Sequence, residues 1–297
     1  MKNLYPFLNP IKWIKANRFV KKNAKFDKSN YDLELFLYSK ILTNNMLHYG
    51  YFEDPNTKPE TISFQQFEEA QIKYAEIIIE QIKDKNNSVL DVGCGMGGLS
   101  QLLKSRNFDV ESLTPNKNQI EFIKSKFDFL ITHNCKYENF ETSKKFGTVI
   151  NSESLQYISL DEAFKKTNEI IIPGGRWIII DYFSLEKKDA NQKPHNLEAF
   201  FQKTKEYDWD IDYEQDITLN VLPTICFIDM YVNRFLLPLK QFAYEKLRYK
   251  MPKLYYLSDR LRAVVDKKIE KETKTVNPNV FIKERKYMLI VLKKNFT

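Results

Sequence analysis

Val89-Leu90-Asp91-Val92-Gly93-Cys94-Gly95-Met96-Gly97-Gly98 decides the reading of this 297-residue chain. A short apolar run of strand length ends at Val92. Glycines follow at 93, 95 and 97, and residues 99–106 then carry helical spacing. Glycine lets a backbone turn tightly and approach a ligand with no Cβ in the way, and a helix that starts there presents unpaired N–H groups. The spacing is neither Gly-x-Gly-x-x-Gly nor a glycine loop closed by Gly-Lys-Ser/Thr, which lowers the dinucleotide and P-loop readings.

The pattern on either side extends this unit. Residues 64–84 have apolar positions at helical spacing. Downstream, strand-like 109–113, helical 117–126, strand-like 129–132, strand-like 147–151, helical 160–171 and strand-like 176–181 alternate. Pro173-Gly174-Gly175 makes a turn before the last of these. That rhythm predicts an α/β fold, a doubly wound, seven-stranded, mostly parallel sheet with helices on both faces. Residues 184–208 read as a polar connection, 209–218 as a sixth strand and 286–293 as a seventh. Residues 219–285 between the last two strands read as a helical insertion. The expected organisation is an N-terminal helical lid segment over 1–63, a core domain over 64–218, a helical cap over 219–285, and the closing strand over 286–297.

Composition sets bounds on function. Hydrophobic residues make up 43% and charged residues 29% of the chain, which excludes collagen-like and disordered classes. No undiluted apolar run approaches the ~20 residues of a membrane span. Three cysteines, Cys94, Cys135 and Cys226, suit a reducing compartment rather than a disulfide framework. Lys12, Lys15 and Arg18 interrupt any signal-peptide core. A cytoplasmic location is expected, with peripheral membrane contact as its extension.

The net charge of +7 is unevenly placed. Residues 1–28 hold eight Lys/Arg and one Asp, and residues 234–271 hold eleven Lys/Arg and four Asp/Glu, so the remainder is acidic. Both basic segments are interleaved with Trp, Phe, Tyr and Leu. Such a mixture suits an anionic membrane interface, a nucleic-acid grip, or a core helix with a solvated outer face.

The ordered motifs carry a resemblance. Asp91 with the glycines resembles motif I of the class I S-adenosylmethionine-dependent methyltransferases. Leu113-Thr114-Pro115-Asn116-Lys117-Asn118-Gln119 is similar to the second-strand segment of the cyclopropane-fatty-acid-synthase-like and tocopherol-methyltransferase-like enzymes. Cys135-Lys136-Tyr137-Glu138-Asn139-Phe140, Asn151-Ser152-Glu153-Ser154-Leu155-Gln156-Tyr157 and Ile172-Pro173-Gly174-Gly175 follow in the family's order. Upstream, Leu47-His48-Tyr49-Gly50-Tyr51-Phe52 and Glu69-Ala70-Gln71 do so too. The resemblance covers about residues 30–183.

The resemblance implies S-adenosyl-L-methionine as cofactor and S-adenosyl-L-homocysteine as product. It implies that Gly93, Gly95 and Gly97, with Cys94 among them, pass under the cofactor and that Asp91 orients their loop. Thr114 stands where the wider superfamily often has an acidic ribose clamp, with Gln119 beside it. Thr114 also reads as a helix N-cap. Tyr137 and Glu138 would flank the adenine, and Tyr49 and Asn151 complete the cofactor set. Tyr137 also reads as core packing and Cys94 as a small packing residue.

On the acceptor side, His48 is a candidate base near neutral pH, with a structural histidine as the plainer reading. Glu153 and Tyr157 follow the fourth strand as further catalytic candidates. Tyr51, Glu153, Gln156 and Tyr182 are expected to meet the acceptor. The cysteine and the Glu-His pair of cyclopropane synthases are replaced by Tyr49, Gln156 and Tyr157, which disfavours cyclopropanation and favours N-, O- or C-methylation. No metal is expected, because His133 and Cys135 lack further ligands at metal-site spacing.

In the topology the resemblance implies, the insertion leaves the sixth strand at the end where ligands bind, so a basic, apolar cap over an amphiphilic, lipid-like or isoprenoid acceptor is expected. Its rivals are methylation of a soluble amine and a non-catalytic cofactor-binding or membrane-associated protein. Nucleic acid is disfavoured, because no RNA-binding module and no Asn-Pro-Pro-Tyr-type signature accompany the fold.

Overall fold

The computed structural model describes residues 9–22, 32–186 and 194–294. Residues 1–8 and 23–28 of the first basic segment lie outside the described residues.

Among the described residues, seven strands form one sheet in the order β3-β2-β1-β4-β5-β7-β6. They are β1 (Val89–Val92), β2 (Val110–Leu113), β3 (Ile131–His133), β4 (Phe146–Ser152), β5 (Ile171–Ser184), β6 (Trp209–Asp216) and β7 (Arg285–Lys294). β1 pairs in parallel with β2 and β4, β2 with β3, and β4 with β5, while β7 runs antiparallel between β5 and β6. The alternation of strand side chains divides the core between two faces. Ile178 and Ile180 join Tyr74, Ile78, Leu99 and Leu103 on one face. Trp177 and Ile179 join Phe164, Phe200 and Trp209 on the other.

The helices are α1 (Pro10–Lys22), α2 (Leu33–Ile41), α3 (Phe64–Ile79), α4 (Gly98–Ser105), α5 (Lys117–Lys126), α6 (Leu160–Ile170) and α7 (Leu197–Glu206). Beyond β6 come α8 (Thr218–Tyr231), α9 (Leu237–Lys250), α10 (Pro252–Leu257), α11 (Asp259–Thr275) and α12 (Pro278–Glu284). α3 is closed by a capping box. The Ser63 hydroxyl accepts from the Gln66 N–H, and the Gln66 side chain accepts from the Ser63 N–H.

Three details depart from the expectation. The 184–208 stretch contains α7, capped by the Asn196 side chain on the Ala199 N–H. Only Phe200 and Thr204 of that helix are buried, so its apolar period is faint in the sequence. The Pro173-Gly174-Gly175 turn lies inside β5 as a bulge, where Phe146 faces Ile171 but Thr148 faces Arg176. The third departure is in the helical insertion. Thr218–Lys250, α8 and α9 joined by a π-helical segment (Val232–Leu236), is long and apolar enough by composition to cross a membrane. Asp229 and Arg234 break its apolar run in sequence, and Val221, Ile225 and Phe227 of its first half are buried in the body.

Candidate functional site

Parallel strands bring their carboxyl ends to one edge, and the loops leaving β1, β2 and β4 enclose a cavity of about 480 Å³ there. β1 supplies Asp91, and the loop after it supplies Gly93, Cys94 and Gly95. Gly93 and Gly95 adopt φ of +78° and +56°. A Cβ on Gly93 would stand 2.5 Å from Ser154 Cβ, and one on Gly95 would stand 3.1 Å from Leu47 Cδ1. The loop therefore lies close to its neighbours and exposes backbone to the cavity. Asp91 is buried and accepts from the Ser100 hydroxyl at 2.5 Å. Burial raises its carboxyl to about 6 despite that bond.

After β2, Thr114 and Gln119 line the cavity. The Thr114 hydroxyl donates to Gln119 Oε1 at 2.6 Å, which fixes the amide. The N-cap of α5 is Asn116 rather than Thr114, with the Asn116 side chain accepting from the Asn118 and Gln119 N–H groups. Tyr137 and Glu138 form the next wall. The Tyr137 hydroxyl bonds Thr167 at 2.8 Å inside the core, so this residue packs and lines at once.

The opposite wall is Glu153 with Tyr157, the latter 66% exposed at the rim. Glu153 is the centre of a buried polar chain. Its Oε1 accepts from the Tyr49 N–H at 2.8 Å and from the Tyr287 hydroxyl. With the Tyr287 proton committed to Glu153, Tyr74 donates to Tyr287 over 2.9 Å. Burial raises Glu153 to about 7, and the two donors hold it below where burial alone would put it. Asp181, next on β5, rises to about 8 through burial and the neighbouring Glu153.

His48 stacks on Tyr74 with ring centroids 4.1 Å apart. Its Nδ1 lies 2.8 Å from the Tyr49 carbonyl oxygen, an acceptor only, so Nδ1 carries the proton. Burial lowers its pKa to about 4, so the ring is neutral. Nε2 is then a bare acceptor, buried and without a hydrogen-bond partner, on a residue that lines the cavity.

The loop carrying His48 is held from two sides. Gln71 of α3 donates to the Met46 and His48 carbonyls at 3.0 and 2.7 Å. Thr224 of α8 accepts from the Gly50 N–H at 3.0 Å and donates to the Gly50 carbonyl at 3.1 Å.

Several residues expected at the site lie outside the cavity wall. Asn151 is buried in structural bonds to Ser154 and Trp177. Gln156 is bound to Asp181 through its N–H and its amide. Tyr49 and Tyr182 pack with Phe281 and Tyr287, and Tyr51 packs against the core. Gly97, at φ +84°, is the N-cap of α4. No residue of 219–285 is part of the wall; the insertion instead braces the His48 loop through α8. Conversely, Asn45, Asn116, Lys136 and Ser154 line the cavity without having been singled out. Tyr74 and Tyr287 were missed because aromatic residues on apolar faces read as core.

A family model described as mycolic acid cyclopropane synthetase matches residues 19–210. The chain belongs to that family. It is thereby a class I S-adenosylmethionine-dependent methyltransferase-type protein of the cyclopropane-synthase-like subgroup. It is similar to a sterol 4-C-methyltransferase of Caenorhabditis elegans, 27% identical over 147 residues, which are 46% of this chain and 44% of that protein. It is also similar to an (S)-tetrahydroprotoberberine N-methyltransferase of Eschscholzia californica, 29% identical over 168 residues, 54% of this chain and 43% of that protein. The matches thus span less than half the length of these curated relatives. Among solved structures, a cyclopropane synthase from Mycobacterium tuberculosis shares the fold with a TM-score of 0.62 at 14% identity, over 90% of this chain and 95% of that one.

Proposed function

We propose that this chain transfers a methyl group from S-adenosyl-L-methionine to the N, O or C atom of a small amphiphilic acceptor of lipid or isoprenoid character. The observation that carries the reading is the cavity itself. A glycine cradle, a polar pair at Thr114 and Gln119, and an aromatic-carboxylate wall at Tyr137 and Glu138 suit the amino-acid, ribose and adenine parts of that cofactor. When bound, the cofactor supplies an electrophilic methyl on a sulfonium and leaves as S-adenosyl-L-homocysteine.

The protein's own work is alignment, exclusion of water and disposal of a proton. The acceptor's lone pair takes the methyl, and the displaced bonding pair stays on sulfur. An N–H or O–H acceptor then sheds a proton. His48 Nε2 is the unpaired acceptor available for it, and Glu153 backs the same wall through Tyr287 and Tyr74. Tyr157 at the rim is the third candidate for contact with the acceptor.

The organisation that accompanies this reading is a lid segment over 1–63, a cofactor domain over 64–218, a helical insertion over 219–285 and a closing strand over 286–297. The insertion acts by bracing the lid loop. A cytoplasmic location with peripheral contact to an anionic membrane, through the basic segments 1–28 and 234–271, belongs with an acceptor that partitions into lipid. A soluble amine acceptor is the second reading, favoured by the similarity to an N-methyltransferase and by a carboxylate in the wall.

The test is calorimetric titration with S-adenosyl-L-homocysteine, followed by transfer of labelled methyl from the cofactor to lipid and to aqueous extracts. Micromolar binding with label in the lipid fraction is expected. Label only in the aqueous fraction favours the amine reading. No binding and no transfer overturn both.

A further inference from the structure

We propose that helices α9 to α11 form a docking arm for an anionic lipid bilayer, a role that rests on the amphiphilic-acceptor reading and gives it a physical route. None of the three helices has a buried residue. Yet each long helix has two distinct sides. In α9, residues 237, 240, 244 and 247 recur at helical spacing and are partly covered. They face α11. Lys240 pairs with Asp266 at 2.8 Å, Tyr244 reaches the same carboxylate at 3.4 Å, and the Arg262 guanidinium lies over the Tyr244 ring.

Leu239, Phe242, Lys246 and Tyr249 recur at the same spacing, roughly 160° around the helix axis from the first set at 100° per residue. Leu239 is 62%, Phe242 63% and Tyr249 81% exposed. In α11 the half-covered residues are 262, 266, 269 and 273, while Leu261 and Val264 stand exposed beside Lys267 and Lys268. Between them, α10 adds exposed Tyr256 and Leu257 next to Lys253.

The hairpin has thus satisfied its inner side with an ion pair, a tyrosine bond to the same carboxylate and a cation–π contact. What remains outside is an apolar, aromatic stripe flanked by cations. A solvated helix would place charge there; a helix packed on protein would bury the stripe. Large aromatic and aliphatic side chains that enter the acyl boundary, with lysines at headgroup level, match an anionic bilayer surface. Residues 234–271 carry net +7 from eleven Lys/Arg and four Asp/Glu, which complements that surface. Lys246 and Lys250 lie over the rings of Phe242 and Tyr249, so cation and aromatic already share one side.

The experiment is co-sedimentation of the full chain with phosphatidylcholine vesicles, with and without phosphatidylglycerol, at low and high salt. The comparison is the triple variant L239S/F242S/Y249S, which keeps every charge, and Lys205→Glu, a charge change outside the arm. The wild type and Lys205→Glu should sediment with the anionic vesicles and be released by salt. The triple variant should lose roughly tenfold or more in vesicle affinity. Its circular dichroism and its affinity for S-adenosyl-L-homocysteine should stay as in the wild type. Equal sedimentation of wild type and triple variant, or none by the wild type, overturns the arm's role. So does self-association, or binding of an RNA oligonucleotide, that the triple variant abolishes while vesicle binding is absent. Retained S-adenosyl-L-homocysteine binding in those cases leaves the methyltransferase reading standing. Loss of that binding in the wild type would instead overturn the reading beneath it.

Discussion

Glu153 is held at φ +49°, where a residue with a Cβ costs about 1–2 kcal/mol relative to ordinary backbone. Its own N–H donating to the Ile180 carbonyl, and its carboxylate accepting from Tyr49 and Tyr287, fix it there. This geometry predicts a pH dependence of stability. Folded, Glu153 titrates at about 7 and Asp181 at about 8, both raised by burial. Unfolded, both titrate near the ordinary carboxylate range of ~4. Between those limits these two carboxyls bind more protons in the folded than in the unfolded chain, so their contribution to stability falls as pH rises from about 4 to about 8. Glu153→Gln removes one of these protonations. Its melting temperature should gain on the wild type between pH 5 and pH 8, and parallel curves would refute the assignment. His48 yields a second prediction. In His48→Asn the side-chain amide keeps a donor near the Tyr49 carbonyl but lacks Nε2. If Nε2 takes the acceptor's proton, kcat should fall by about 10²–10⁴ while S-adenosyl-L-homocysteine affinity holds. Undiminished turnover would leave His48 as a loop-holding residue.

Loop positioning is decided at the scale of elements. Thr224 is fully buried on α8 and makes both hydrogen bonds to Gly50, while a Cβ on Gly50 would stand 2.7 Å from Ala70 Cβ. Thr224→Val keeps the shape and strands the Gly50 N–H. That should cost about 1–3 kcal/mol, seen as a drop in melting temperature of several degrees, with faster amide exchange in residues 46–52. Unchanged exchange would show that Gln71 alone holds the loop. The Gly50 position was legible in sequence as part of Leu47-His48-Tyr49-Gly50-Tyr51-Phe52, but its partner 174 residues away was not. The glycine loop, the strands around it and the helix over 117–126 were readable because each obeys a local rule of period or turn chemistry. α7 was not, because its buried face is two residues wide. Asn151 and Gln156 looked like site residues in a one-dimensional motif. In three dimensions Trp177 and Asp181 claim them, and no local rule announces contacts made across 25 or more residues. Tyr74 and Tyr287 show the converse. Their rings belong to the core, and their hydroxyls meet behind Glu153 only after the sheet brings α3 beside β7.

The molecule as a whole divides its stability unevenly. The inner strands β1, β4, β5 and β7 are buried over most of their length, whereas α9, α10 and α11 contribute no buried residue. Opening of a segment costs free energy in proportion to the apolar contacts it surrenders, so the arm should open locally far more often than the sheet. Eleven Lys/Arg lie in residues 234–271, each a trypsin site once the local helix frays. Limited trypsin digestion should therefore nick the chain between residues 240 and 274 before any site within 88–184. S-adenosyl-L-homocysteine filling the cavity proposed for it, whose wall includes Asn45, Leu47 and His48, should slow cleavage at Lys40 and leave the arm's cleavage rate unchanged, since no arm residue lines the cavity. Anionic vesicles should do the reverse, shielding the arm and sparing Lys40 no cleavage. Mass spectrometry of the first fragments reads both effects. Protection of the arm by the soluble ligand alone would mean that the insertion closes over the cavity when it is filled, and the arm would then have to be assigned to the acceptor pocket instead of the bilayer.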